Sequence, residues 1–186
     1  MRIISGKFKG HLISFTKSDV TRPLKDSVKE NIFNILTHSN LFNVKFENSK
    51  ILDLYSGIGS FGLECLSRDV KNVTFVEKDN VAIKILAQNL TKLSLNNRAT
   101  IANKEINDFL INENSKYDIF FLDPPFAKND FIEDLKLISK NKIFNKKHIV
   151  IIHREKNSND NFKNIIKTLV TKKYGRSKII FGNFLY

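Results

Sequence analysis

Apolar positions fall into two rhythms along the chain. From residue 51, the runs ILDLYSG, NVTFVEKD, ATIANKE, DIFFLDPP and HIVIIHRE have strand length and are rich in β-branched and aromatic residues. Between them, FGLECLSR and VAIKILAQNLTKL space their apolar residues with a helical period. Strands alternating with helices predict an α/β fold, with a parallel sheet covered on both faces. The stretch KKYGRSKIIFGNFLY predicts two strands turning at Gly175, which close the sheet as an antiparallel pair. Upstream, Ser27 and Glu30 have capping-box spacing. Val28, Ile32, Ile35 and Leu36, with Phe33 beside them, form an apolar stripe, so a helix packed on the sheet is expected there. MRIISGKFKGHLISF alternates weakly and is broken by Gly6 and Gly10, which predicts a short exposed hairpin or arm too small to fold alone. The expected division is a basic arm over residues 1–22 and one domain over 23–186.

The first predicted strand ends in Asp53, and Tyr55, Ser56, Gly57, Gly59 and Gly62 follow around the start of the helix expected near Ser60. A glycine loop there lets backbone N–H groups approach a ligand beyond the carboxyl ends of the strands. An acid four residues before the first glycine repels a pyrophosphate but suits an ammonium. Glu77 ends the second predicted strand, next to Lys78, where an acid accepts hydrogen bonds from ribose hydroxyls. Glu105 and Ile106, placed at the end of the third, are positioned to read an adenine edge. Together these acids describe a pocket for a cationic adenosine derivative, of which S-adenosylmethionine is the best candidate. A dinucleotide-binding fold is the competing reading.

The fourth predicted strand ends in Asp123, Pro124, Pro125 and Phe126. The prolines cannot continue a ladder and fix their own φ, so the turn is stiff. An exocyclic amine on a base is a poor nucleophile because its lone pair is delocalised into the ring. Acceptors aimed at its N–H groups, here the Asp123 carboxylate and the Pro124 carbonyl, favour a more tetrahedral nitrogen, and Phe126 can stack on an extruded base.

Charge adds a partner. Thirty-one Lys and Arg against 19 Asp and Glu give a net charge of +12, the footprint of a polyanion binder. Both ends of the chain are basic: Arg2, Lys7, Lys9, Lys17 and Arg22 at one, and Lys163, Lys167, Lys172, Lys173, Arg176 and Lys178 at the other, after the last acid, Asp160. One cysteine, Cys65, excludes an internal disulfide, and four scattered histidines offer no metal-ligand spacing, so no metal is expected. No apolar run is long enough to span a bilayer, and MRIISGKFKG lacks a signal-peptide core, which predicts a cytoplasmic protein with no membrane contact.

These segments resemble the bacterial 16S rRNA guanine-N2 methyltransferases that modify guanine 966. MRIISGKFKG is similar to that family's opening, and TRPLKDSVKENIFNIL to its R-P-T-x-D-x-V-[RK]-E-x-x-F-N-x-L segment. ILDLYSGIGSFGLECLSR, VTFVEKD and DIFFLDPPF match its cofactor and catalytic stretches, and KKYG also fits. The resemblance implies a Rossmann-like class I S-adenosylmethionine-dependent methyltransferase fold, with a mostly parallel seven-stranded sheet and an antiparallel last strand. It implies Asp53, Tyr55, Ser56, Gly57, Gly59, Glu77, Lys78, Glu105 and Ile106 around the cofactor and Asp123–Phe126 as the catalytic loop. It also implies Arg2, Lys7, Lys9 and Arg22 on the substrate, which would be 16S rRNA or a small-subunit assembly intermediate met by a monomer. Leu24 stands where that family has threonine, Glu105 replaces a shorter Asp or Asn, Asp69 and Val70 replace Gly-Ala, and Arg176 stands where an acid follows Tyr-Gly. The alternatives are an adenine-N6 DNA or protein-glutamine amino methyltransferase and a non-catalytic RNA-binding module.

Overall fold

The computed structural model describes residues 1–15, 24–39, 44–125 and 130–186. Its elements are α1 (Asp26–His38), β1 (Lys50–Leu54), α2 (Ser60–Ser67), β2 (Asn72–Glu77), α3 (Asn80–Lys92), β3 (Ala99–Asn103), α4 (Ile106–Asn112), β4 (Tyr117–Leu122), α5 (Phe131–Asn141), β5 (Phe144–Glu155), β6 (Ile166–Tyr174) and β7 (Ser177–Phe184). The seven strands lie in the order β3-β2-β1-β4-β5-β7-β6. Neighbours from β3 through β5 run parallel, and β7 is antiparallel to both β5 and β6. The order reverses between β1 and β4, which opens a crevice at their carboxyl ends.

Successive strand residues point to opposite faces, and in β1, β2, β4 and the central parts of β5 and β7 both faces are buried, whereas the edge strands β3 and β6 are partly exposed. Ile51, Phe75, Phe121, Ile151 and Ile179 pack under α1, α2 and α3, while Leu52, Leu54, Phe120, Leu122 and Ile152 pack under α4 and α5. This explains why the central strands read as unbroken apolar runs rather than alternating ones. In α1, Val28, Ile32, Phe33 and Leu36 are buried as the stripe predicts. The capping box does not form: the helix starts at Asp26 with Lys25 as its N-cap, so Ser27 already lies inside the first turn. Asp26 instead places negative charge at the positive end of the helix.

The N-terminal segment is a small and largely exposed hairpin, as the glycines suggest, but two of its side chains anchor it to the domain. Arg2 and Leu12 form an antiparallel bridge, and Ile3 and Ile13 are buried in the core with α1 and α2. Beneath it, the buried Glu64 carboxylate accepts the Ile4 N–H at 2.8 Å and the Ser5 N–H at 2.9 Å. The equally buried Lys29 ammonium lies 3.7 Å from Glu64 and donates to the Arg2 carbonyl at 3.1 Å. Gly6 is required at the turn, because its φ is +82° and a Cβ would sit 2.0 Å from the Ser67 carbonyl oxygen.

Candidate functional site

The β1–α2 loop turns tightly, with Tyr55, Gly57 and Gly59 at φ of +58°, +53° and +82°. A Cβ on Gly59 would meet Leu86 at 2.4 Å, whereas one on Gly57 would meet nothing within 4 Å, so Gly57 borders open space at the head of the crevice. Ser56 beside it has a buried hydroxyl with no hydrogen-bond partner among the described residues. A buried unpaired hydroxyl is costly unless something fills the space next to it.

Carboxylates converge on this loop. Asp53 is buried, and its carboxylate accepts the Gly62 N–H at 3.0 Å. Burial pushes its carboxyl well above the usual range; the Gly62 N–H opposes that rise, and the charges of Asp123 and Glu77 add to it. Glu77 accepts the Gly57 N–H at 2.8 Å and the N–H groups of Lys78 and Asp79 at 2.9 Å each, which ties β2 to the loop. Asp79 caps α3 by accepting from Val81 and Ala82, both at 2.8 Å.

Other predicted cofactor residues take different places. β3 ends at Asn103 rather than at Glu105, because Glu105 is the N-cap residue of α4. Its side chain is exposed and pairs with Lys78 at 3.0 Å, while Ile106 is buried in the first turn. The Tyr55 hydroxyl donates to Asp134 of α5 at 2.5 Å. Burial raises that hydroxyl's pKa, and the hydrogen bond and charge of Asp134 raise it further. Tyr55 thus ties the glycine loop to the helix that follows the Asp-Pro-Pro turn.

At the turn itself, the Asp123 N–H donates to the Leu54 carbonyl at 3.4 Å. The Asp123 carboxylate lies 2.8 Å from His153 Nδ1, and the Pro125 carbonyl accepts from Arg154 Nη1 at 3.2 Å. Pro124 is buried and Pro125 exposed, while Phe126 lies outside the described residues. Sequence reasoning missed His153 and Arg154. Their signal was a histidine and an arginine closing HIVIIHRE, an otherwise apolar strand next to β4.

Of the expected RNA contacts, Arg22 lies outside the described residues, and the other three divide. Met1, next to Arg2, reaches the glycine loop, where the Ser60 hydroxyl donates to its sulfur at 3.1 Å. Lys7 and Lys9 lie at the opposite end of α2: the Lys7 N–H donates to the Ser67 carbonyl, and the Lys7 ammonium pairs with Asp69 at 2.7 Å. An eight-residue helix is about 12 Å long, so these two lysines are roughly that far from the crevice.

Glu77 and Asp123 set carboxylates near the glycine loop, close enough to act on the buried Asp53, and in a protein of net charge +12 this local acidity favours a cation and disfavours a pyrophosphate. With the unpartnered Ser56 hydroxyl and the open Gly57, the residues fit a sulfonium-bearing adenosine cofactor rather than a dinucleotide.

The family described as "Conserved hypothetical protein 95" matches residues 1–183. The chain is 33% identical over 159 residues to the ribosomal RNA small subunit methyltransferase D of Buchnera aphidicola subsp. Baizongia pistaciae, covering 86% of this chain and 78% of that one. A solved structure from Escherichia coli, assigned as a methyltransferase, matches with a TM-score of 0.84 at 25% identity, covering 98% of this chain and 96% of that one. A more distant one, assigned as a methyltransferase and complexed with SAH, shares the fold at a TM-score of 0.62 and 15% identity, over 81% of this chain and 49% of that one. The chain therefore belongs to the conserved hypothetical protein 95 family, alongside the ribosomal RNA small subunit methyltransferases D, and has the Rossmann-like fold of class I S-adenosylmethionine-dependent methyltransferases.

Proposed function

We propose that this chain transfers a methyl group from S-adenosylmethionine to the exocyclic N2 of a guanine, guanine 966 of 16S rRNA, in the cytoplasm and as a monomer. The observation that carries this reading is the Asp123 carboxylate, set at the mouth of an acidic, glycine-floored crevice and fixed by a proline turn. Asp53, Ser56, Gly57, Gly59 and Glu77 would hold the cofactor, with Tyr55 shaping the loop and Lys78, Glu105 and Ile106 on the adenine side. Bound there, S-adenosylmethionine supplies an electrophilic methyl group on a sulfonium.

The remaining work falls to the chain. Asp123 accepts one N–H of the guanine amine, and the Pro124 carbonyl accepts the other. Both acceptors favour a nitrogen whose lone pair points away from the ring. The proton released after transfer passes to the Asp123 carboxylate or to water. Phe126 stacks on the extruded base. RNA is drawn in by charge: Arg2 and Arg22 from residues 1–22, which act as the RNA-contacting arm, with Lys7 and Lys9 meeting the backbone farther from the crevice, and the exposed Lys167, Lys172 and Lys173 of β6.

The test supplies rRNA or small-subunit particles lacking the methyl group and identifies the nucleoside that regains it after digestion. N2-methylguanosine is expected, at one site. Asp123→Ala should lower turnover by about 1,000-fold while S-adenosylmethionine still binds. N6-methyladenosine, or methylation undiminished in the variant, would overturn the assignment.

A further inference from the structure

We propose that the carboxyl end of β5 is a clamp that aims the catalytic turn, with His153 and Arg154 as positioning residues that never touch the substrate. This rests on the function proposed above and explains how its key carboxylate is held. Two locked proline φ angles leave the turn few freedoms, chiefly the χ angles of Asp123 and the ψ angles on either side. Each is met by a neighbouring strand. β1 holds the Asp123 backbone through Leu54, and β5 holds the rest.

Consecutive residues of a strand project to opposite faces, so His153 and Arg154 can take the turn from its two sides. His153 Nδ1 lies 2.8 Å from Asp123 Oδ1. An ionised carboxylate only accepts, so Nδ1 carries the proton and donates. That contact uses Oδ1 and leaves Oδ2 for the amine. On the other side, Arg154 Nη1 donates to the Pro125 carbonyl at 3.2 Å.

Arg154 is itself held rigidly. Its guanidinium is buried, lies 4.5 Å over the Phe131 ring and donates through Nε to Asp160 at 2.9 Å. Asp160 is in turn held by the Ser158 hydroxyl at 2.6 Å and the Lys178 ammonium at 3.2 Å. A guanidinium can offer Nε to one partner and Nη1 to another in a single plane, which an ammonium cannot do. The chain from β7 through Asp160 to Pro125 thus fixes the far end of the turn as His153 fixes the near end.

The experiment compares His153→Ala, His153→Asn, His153→Gln and Arg154→Lys for kcat, for KM with rRNA, and for S-adenosylmethionine affinity by calorimetry. An asparagine amide nitrogen falls about where Nδ1 does; a glutamine nitrogen falls nearer Nε2. His153→Ala and His153→Gln should lose about 100-fold in kcat with cofactor affinity within about threefold, and His153→Asn should recover most of the loss. Arg154→Lys should also lose kcat. Undiminished kcat in His153→Ala, or equal behaviour of Asn and Gln, would overturn the clamp.

A second readout does not need activity. In ¹⁵N spectra of the imidazole, the wild-type chain should show His153 protonated at Nδ1, with a resonance that moves on Asp123→Asn. The Nε2-protonated tautomer would overturn the clamp. If the wild-type chain methylates no guanine but shows this signature, the proposed substrate falls and the clamp stands.

Discussion

Glu64→Gln removes one charge from the buried cluster under the N-terminal hairpin and nearly nothing else. The wild-type carboxylate meets donors on both oxygens: Ile4 N–H and the Lys29 ammonium on Oε2, and Ser5 N–H with the Arg68 guanidinium on Oε1. Whichever way the glutamine amide turns, its NH₂ faces a donor. Breaking a buried ion pair while leaving the other ion in place costs about 3–5 kcal/mol. The chain has another response, which is to release the hairpin. That exposes Ile3 and Ile13 at roughly 1.5–3 kcal/mol each, or about 3–6 kcal/mol together. The two routes are close in free energy, so a loss of about 3–5 kcal/mol is expected. For a chain of this length that is a fall in Tm of roughly 6–20 °C by circular dichroism. The deficit should shrink as pH rises. Burial already lowers the Lys29 pKa against the pull of Glu64 and Asp26, and a Lys that binds fewer protons folded than unfolded makes stability climb with pH. Hydrogen exchange at the Ile4 and Ser5 amides reads hairpin release directly. A Tm within about 2 °C of wild type, or a pH-independent deficit, would refute the reasoning, and adding Lys29→Met should recover part of the loss.

Gly62→Ala should destabilise by about 1–3 kcal/mol, since its Cβ would lie 2.2 Å from Phe75 and 2.8 Å from Val73; a higher urea midpoint, as for an exposed helical glycine, would contradict this. Asp53→Asn should raise stability and weaken S-adenosylmethionine binding. The raised carboxyl contributes stability that is present below its unfolded pKa and is lost as pH rises toward the folded value, so the gain in Tm should be larger at high pH than at low. Asp160 runs the other way. Burial alone would raise it, but the Ser158 hydroxyl, Arg154 and Lys178 hold it below the usual range, so its contribution is present above its unfolded pKa and is lost as pH falls through the folded one. Acid unfolding of Asp160→Asn should therefore be less steep than that of the wild type below about pH 4.

The alternation of strands and helices, the parallel sheet and its antiparallel close were legible because they depend on local rhythm. Five apolar runs, each followed by polar residues, point to a candidate crevice at the strands' carboxyl ends once the sheet is parallel. What stayed hidden depends on partners far apart in sequence. Glu64 reads as a polar break in FGLECLSR, and only the fold shows that it receives Ile4, 60 residues away. For the same reason the sequence shows an exposed hairpin but not that Ile3 and Ile13 within it are core residues. His153 and Arg154 sit 30 and 29 residues from the groups they hold, in a strand whose role looked structural. Glu105 was placed one element early because ATIANKE carries no mark of where pairing with β2 stops; it stops at Asn103.

The insertion of β7 between β5 and β6 also sets an order of events. Among the described residues β6 pairs only with β7, so it has nothing to pair with until that strand is in place. Tyr174 and Ser177 face each other across a two-residue turn whose first residue, Gly175, has φ of +54°. Such a hairpin closes locally, in about 1–10 μs, without waiting for the rest of the chain. Its docking onto β5 is the slower, long-range step, and it brings Lys178 to Asp160. The Asp160 carboxylate that holds Arg154 therefore gains its Lys178 partner only when this hairpin has docked on β5.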